Sequence, residues 1–290
     1  MYYRRLGGTG LLAGEIGLSA TALGDPTLSD ADAANLVVFA LAGGASLIDV
    51  SDLDGDGLAE QRVGRAVSRQ REKALIATKG GRGPDGAPFS IARIESAARA
   101  SQARLDCGPI DIYQLHHPTP DDLADEALWE ALDRLKADGV IRYAGVAADT
   151  PAAALAAIAS GRIDVLQAPF NALAAAMRPV LLLARQAGVA VLAGSPLLGG
   201  VLACDEVPAE ASATAQAVIG RMQALTQDSG RTLAQTALGW VLAHEEIAVA
   251  LPSPRTTAQL EEAIAASNLP LPSDRILAAV ENAWHTVPAS

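Results

Sequence analysis

Apolar residues along the chain fall into two alternating rhythms. Short continuous apolar runs, of the kind found in strands buried on both faces, occupy 18–24, 46–50, 74–79, 111–116, 141–147, 164–169, 190–196 and 247–252. After each comes a longer stretch with helical spacing. These stretches cover 30–42, 59–71, 90–105, 125–138, 151–160, 174–187, 232–244 and 257–267. Ser90 and Thr150 stand where N-caps belong, with Pro151 at a first helical position. Gly139, Gly161 and Gly188 stand where helices stop. Eight strand–helix pairs in alternation predict an α/β protein whose parallel sheet closes into a (β/α)8 TIM barrel. A doubly wound open sheet is the weaker alternative, because no Gly-x-Gly-x-x-Gly follows the first strand.

Three pieces lie outside the repeat. Residues 3–17 read as an N-terminal β-hairpin that turns at Gly7-Gly8-Thr9-Gly10 and plugs one barrel end. Residues 202–230 separate the seventh strand from its helix, contain a helical stretch at 211–226, and are expected to close over the site. A C-terminal extra helix is expected at 274–284. No linker divides the chain, so 1–290 reads as one barrel domain.

Composition narrows the function. Of 290 residues, 50% are hydrophobic, enough for a large core. With 22 Lys+Arg against 33 Asp+Glu the formal net charge is −11, which argues against nucleic acid or an anionic membrane as partner. No apolar run is long enough to span a bilayer. Two cysteines, Cys107 and Cys204, are too few for a disulfide framework, and no signal-peptide core opens the chain, so a cytoplasmic location is expected. The partner is expected to be a small-molecule substrate. No pattern fixes an oligomeric state.

In an α/β barrel, chemistry sits at the C-terminal strand ends. Three consecutive strands end there in titratable residues: Asp49, Lys79 and His116. A structural ion pair beside a satisfied histidine is the plain reading. A functional cluster is favoured, because buried charge costs stability and persists where chemistry uses it. Asp52-x-Asp54-x-Asp56-Gly57 imitates the start of a calcium loop, but its twelfth position is Val63, so no metal is expected. Gly80-Gly81-Arg82-Gly83 reads as an anion cradle or a plain loop. His116 and His117 are expected to face opposite ways, with His117 on the rim.

These motifs, in this order, resemble the aldo-keto reductases over nearly the whole chain. Arg4-Arg5-Leu6-Gly7-Gly8-Thr9-Gly10 resembles the family's opening hairpin. Ile76-Ala77-Thr78-Lys79 resembles the strand of the catalytic lysine, and Asp111-Ile112-Tyr113-Gln114-Leu115-His116 that of the histidine. Gln167-Ala168-Pro169-Phe170-Asn171, Ser195-Pro196-Leu197 and the segment from Leu251-Pro252 to Glu262 resemble the later strands and the closing cofactor-phosphate segment. The resemblance implies an oxidoreductase binding NADP(H), with Gln167, Ser195, Leu197, Ser253, Arg255, Gln259 and Glu262 as cofactor positions. It also implies a tetrad in which Tyr protonates a carbonyl, Lys lowers the Tyr pKa, Asp holds the Lys and His orients substrate.

The chain departs from that pattern. The tyrosine's position falls on Asp54, and no Tyr lies between Tyr3 and Tyr113. Tyr143 lies deeper in the barrel. The Ser-Asn pair that holds the nicotinamide falls on Ala147-Ala148, the ring-stacking aromatic on Gly194, and the closing Asn on Ala263. Beside Lys79 the Asp54 carboxyl is expected to sit below its ordinary pKa and to be an anion, leaving protonated His116 or a water as the acid. Three readings follow: an NADP(H)-dependent carbonyl reductase with an atypical proton donor; a lyase, dehydratase or cyclase of specialised metabolism using Asp54, Lys79 and His116 without hydride transfer; or a non-catalytic barrel.

Overall fold

A computed structural model describes residues 1–82, 88–174, 176–204, 212–227, 230–272, 277–278 and 280–282. Two short antiparallel strands, β1 (Tyr3–Arg5) and β2 (Leu12–Gly14), open the chain. Eight further strands form one parallel sheet in sequence order. They are β3 (Leu18–Ser19), β4 (Leu47–Asp49), β5 (Leu75–Gly80), β6 (Ile110–His116), β7 (Ile141–Ala147), β8 (Val165–Pro169), β9 (Ala190–Gly194) and β10 (Ile247–Leu251). The first and last of these meet. Ala250 N–H donates to the Glu15 carbonyl at 2.8 Å, Gly17 N–H to Ala250 at 2.9 Å and Ser19 N–H to Pro252 at 2.9 Å. These bonds close the barrel.

Helices α1 (Asp30–Ala42), α2 (Leu58–Val67), α3 (Ile91–Leu105), α4 (Pro120–Leu123), α5 (Glu126–Ala137), α6 (Pro151–Ala159), α7 (Arg178–Gln186), α8 (Ala213–Gln227), α9 (Leu233–Leu242) and α10 (Thr257–Ala266) follow in chain order. Ser90 and Thr150 cap α3 and α6, each accepting a backbone N–H three residues on. Leu47, Ala77, Ile112, Val165, Leu192 and Val249 fill the barrel interior. Their small size suits a chain with 3% aromatics. The large rings of Trp129, Tyr113, Phe170 and Trp240 pack in the second core, which includes the helices' buried faces.

The β1–β2 hairpin plugs the N-terminal barrel end as expected. Leu6 and Ala13 join the interior core, and Gly8 N–H donates to the Gly188 carbonyl at 2.7 Å. Tyr143 sits at this end too, donating its hydroxyl to the Thr9 carbonyl at 2.8 Å.

Several boundaries differ from the sequence pattern. The first barrel strand stops at Ser19, and Thr21–Gly24 turns as a 3-10 helix toward the loop carrying Asp54. The seventh stops at Gly194, because Ser195 adopts φ +48°. Helix α7 starts at Arg178 rather than 174, after a turn in which Asn171 pairs with Ala174. Helix α8 packs on α9, burying Val218, Ile219 and Met222. No described residue of α8 lines the cavity, and 205–211 and 228–229, on which the expected closure also rests, lie outside the described residues. Most of the expected C-terminal helix also lies outside them; its described positions 277–278 and 280–282 are helical.

Candidate active site

Strand alternation builds the site. On β5 Lys79 points inward and Thr78 outward; on β6 Gln114 and His116 point inward, with Tyr113 outward. A polar layer of Asp49, Lys79, Gln114 and Gln167 thus caps the apolar barrel interior. Lys79 Nζ meets Asp49 Oδ2 at 2.7 Å and the Val50 carbonyl at 3.2 Å. Gln167 Nε2 donates to Asp49 Oδ2 at 3.0 Å and Gln114 Nε2 to Oδ1 at 3.3 Å. With Asp49 1% and Lys79 8% exposed, these donors satisfy charges that would otherwise be costly to bury.

Above this layer a cavity of about 320 Å³ opens at the strand ends. Asp49, Asp54, Lys79, His116, Gln167 and Ser195 all line it. So do Ser19, Thr21, Ser51, His117 and Asp149, which no motif in the sequence singles out as a set. Ser51 is two residues beyond Asp49 in extended chain, so its position is readable from alternation; the Thr21 turn is not. No Phe, Tyr or Trp lines the cavity among the described residues.

Asp54 is delivered by a tight loop. Gly55, Asp56 and Gly57 have φ of +61°, +53° and +83° before α2 begins. Gly24 and Gly55 face each other so closely that a Cβ on Gly55 would stand 2.2 Å from the Gly24 carbonyl oxygen. Only glycine permits this approach. It presses the Thr21 turn onto Asp54. Thr21 lies close enough to the Asp54 carboxyl to favour its ionised form slightly, while buried Oδ2 has no protein partner.

Burial pushes the Asp54 carboxyl up to about 6, outweighing the pull of Lys79, and the Asp49 carboxylate adds to the rise. The direction of the shift is opposite to the expected pull of Lys79, although at pH 7 the group is still mostly the expected anion. His116 moves the other way. Burial, then the positive charges of Lys79, His117 and Arg82, lower it to about 3. His116 is therefore neutral at neutral pH. His117 is exposed at the cavity rim as expected, but it does not face away from His116. At φ +54° it has left the strand, so its ring returns to the cavity, 4.4 Å from the His116 ring centroid. Its Nδ1 pairs with Asp149 Oδ2 at 3.0 Å.

The remaining predicted positions divide. Ser195 is exposed on the cavity wall, and its carbonyl is held by Asn171 Nδ2 at 3.0 Å. Gln167 lines the cavity but spends its amide on Asp49 and Gln114. Leu197 is half-buried in the turn beyond Ser195, outside the cavity lining. Ser253 and Arg255 are exposed beyond β10. The Arg255 guanidinium pairs with Asp25, and the Arg255 backbone N–H donates to Gln259 Oε1 at 2.8 Å. Glu262 is half-buried on α10. Ala147 and Ala148 are buried at the end of β7 and offer no side-chain polar atom. A Cβ on Gly194 would meet nothing closer than 3.5 Å, so that wall is open. Arg82, from the glycine-rich loop, pairs with Asp122 at 2.9 Å; 83–87 lie outside the described residues.

No helix among the described residues is long and apolar enough to cross a membrane. Comparison with known proteins agrees with the geometry. The aldo/keto reductase family pattern matches residues 15–283. The chain is 29% identical over 280 residues to L-galactose dehydrogenase of Arabidopsis thaliana, covering 91% of this chain and 87% of that one. It is 31% identical over 258 residues to 6-dehydroglucose reductase of Novosphingobium aromaticivorans, covering 83% and 82%. Aldo-keto reductase AKR11C1 from Bacillus halodurans, in its holo form, superposes with a TM-score of 0.87 at 25% identity, covering 98% of this chain and 96% of that one. The ordered strand-end motifs, the closed barrel and these likenesses agree: the chain belongs to the aldo/keto reductase family.

Proposed function

We propose that the protein is an NADP(H)-dependent reductase of a small polar carbonyl compound, with Asp54 as its proton donor. One observation carries the reading: a buried carboxyl with a free oxygen, raised to about 6, stands in the cavity beside the Asp49–Lys79 pair. A donor works best when its pKa lies near the operating pH. At pH 7 about one Asp54 in ten carries its proton.

The residues fit the cofactor unevenly. Ser253 and Arg255 are exposed at the start of α10, where a guanidinium and a helix N-terminus favour a phosphate. At the ring end Ala147, Ala148 and Gly194 leave space, and Ser195 supplies the polar wall. When bound, the cofactor supplies the hydride that reaches the carbonyl carbon. The Asp54 carboxyl gives its proton to the carbonyl oxygen. Lys79, held by Asp49, sets the local positive charge that stabilises the growing oxyanion. Neutral His116 orients the oxygen. The polar, ring-free lining suits a hydroxylated substrate rather than an aromatic one. Cys107 and Cys204 are free thiols, which suits a cytoplasmic setting.

The cofactor-free alternative draws on the missing tyrosine at Asp54 and on Ala147 and Ala148, which lack the hydroxyl and amide of the family's Ser-Asn pair. NADPH oxidation is followed with a panel of polar aldehydes and ketones for wild type and Asp54→Asn. Turnover that falls about 10²–10⁴-fold in the variant supports the reading. NADPH turnover that Asp54→Asn leaves intact overturns the assigned donor.

A further inference from the structure

We propose that Ser51 is a positioning residue that locks His116 in the tautomer carrying its proton on Nε2. The inference deepens the reductase reading and rests on it for its catalytic meaning. Ser51 is 1% exposed and its Oγ lies 3.3 Å from His116 Nδ1. The hydroxyl has one hydrogen to give and two lone pairs to offer. One lone pair already accepts Leu53 N–H at 3.1 Å. Three acceptors compete for the hydrogen: His116 Nδ1 at 3.3 Å, Asp52 Oδ1 at 3.4 Å and the Lys79 carbonyl at 3.5 Å. The Lys79 carbonyl already accepts Asp52 N–H at 3.2 Å.

If Nδ1 carried the proton, Ser51 would have to accept two N–H groups and send its own hydrogen to one of the longer partners. With Nδ1 bare, the hydroxyl hydrogen goes to the nearest of its three acceptors and Oγ accepts only Leu53 N–H. The imidazole proton then sits on Nε2, the ring's other nitrogen, on a side chain that lines the cavity. Burial and the charges of Lys79, His117 and Arg82 keep the ring neutral through the neutral range, so one ring nitrogen carries the proton and the Ser51 contact selects which. A neutral Nε2–H donor can hold a carbonyl oxygen while Asp54 delivers the proton. A ring with bare Nε2 would repel that oxygen.

The test is a long-range ¹H–¹⁵N correlation spectrum of histidine-labelled full-length protein without cofactor, with His116→Gln to assign the signal. The expected result is the Nε2–H tautomer in wild type at pH 6–8. Ser51→Ala should give a tautomer mixture, and Ser51→Thr, which keeps the hydroxyl, should restore the single form. The His244 signal, outside the site, reports that the variants remain folded. Ser51→Ala should also lower kcat/KM about 3–10-fold, the worth of one neutral hydrogen bond. An Nδ1–H tautomer in wild type, or an unchanged tautomer in Ser51→Ala, overturns the proposal. Because the spectrum needs neither cofactor nor turnover, its failure leaves the reductase reading standing. Absent NADPH turnover with the expected tautomer sinks the reductase reading alone.

Discussion

Replacing Asp54 with Asn should make the protein more stable at neutral pH while it destroys activity. Burial raises the carboxyl from 3.8 to about 6. The ionised form is therefore disfavoured in the fold by about 3 kcal/mol, at about 1.36 kcal/mol per pH unit. Below about pH 4 the carboxyl is mostly protonated in both folded and unfolded chains, and the penalty is small. Between 4 and 6 the folded state keeps a proton that the unfolded chain has lost, so wild-type stability falls as pH rises. Above 6 both states are ionised and the full penalty remains. Asn has the same shape and no charge to bury. Urea unfolding of both proteins from pH 4 to pH 8 should show the variant gaining less than about 1 kcal/mol at pH 4 and about 2–3 kcal/mol at pH 8. A difference that does not grow with pH, or a variant less stable at pH 8, would refute the argument that burial dominates at Asp54.

Other consequences can be measured alongside. With Asp54 as the acid, kcat/KM for reduction should fall about tenfold per pH unit above about 6, as the protonated fraction falls; a profile flat to pH 8 contradicts it. Lys79→Met should cost about 3–5 kcal/mol in chemical denaturation, because Asp49 stays buried without its cation; adding Asp49→Asn should return part of that loss. Gly55→Ala should destabilise by at least about 1–2 kcal/mol and lower activity, since φ +61° and the 2.2 Å approach to Gly24 leave no room for Cβ. Arg255→Ala should weaken NADPH binding by about 10–100-fold in calorimetry and leave NADH little changed, as expected when a charged phosphate contact is lost.

Much of the barrel is legible in the sequence because its strands are buried on both faces and its helices carry clear caps. The strand-end rule alone brings Asp49, Lys79, His116, Gln167 and Ser195 to one cavity. Asp54 is found by position, but its protonation is not. The pull of Lys79 is visible in the sequence order, whereas the turn of Thr21–Gly24 that shuts water away depends on a glycine pair 31 positions apart. Ser51 and Gln114 lie two residues from named site residues on extended chain, within reach of the same alternation. His117 escapes the rule because alternation ends where the strand ends, and a left-handed residue there reverses the side chain. The pairing of Arg255 with Asp25 joins positions from opposite ends of the chain, and no local pattern announces it. Helix α8 buries Val218, Ile219 and Met222 as it packs on α9, a partner that its own sequence does not announce.

The central claim is that this barrel binds NADP(H) for carbonyl reduction even though its ring-end side chains are alanines. Calorimetric titration of the purified protein with NADPH and NADP⁺ tests it most directly. The account predicts saturable, one-to-one binding in the micromolar range or tighter, weakened in Arg255→Ala. No heat of binding up to millimolar cofactor would contradict it, and Asp54, Lys79 and His116 would then belong to proton chemistry without a hydride.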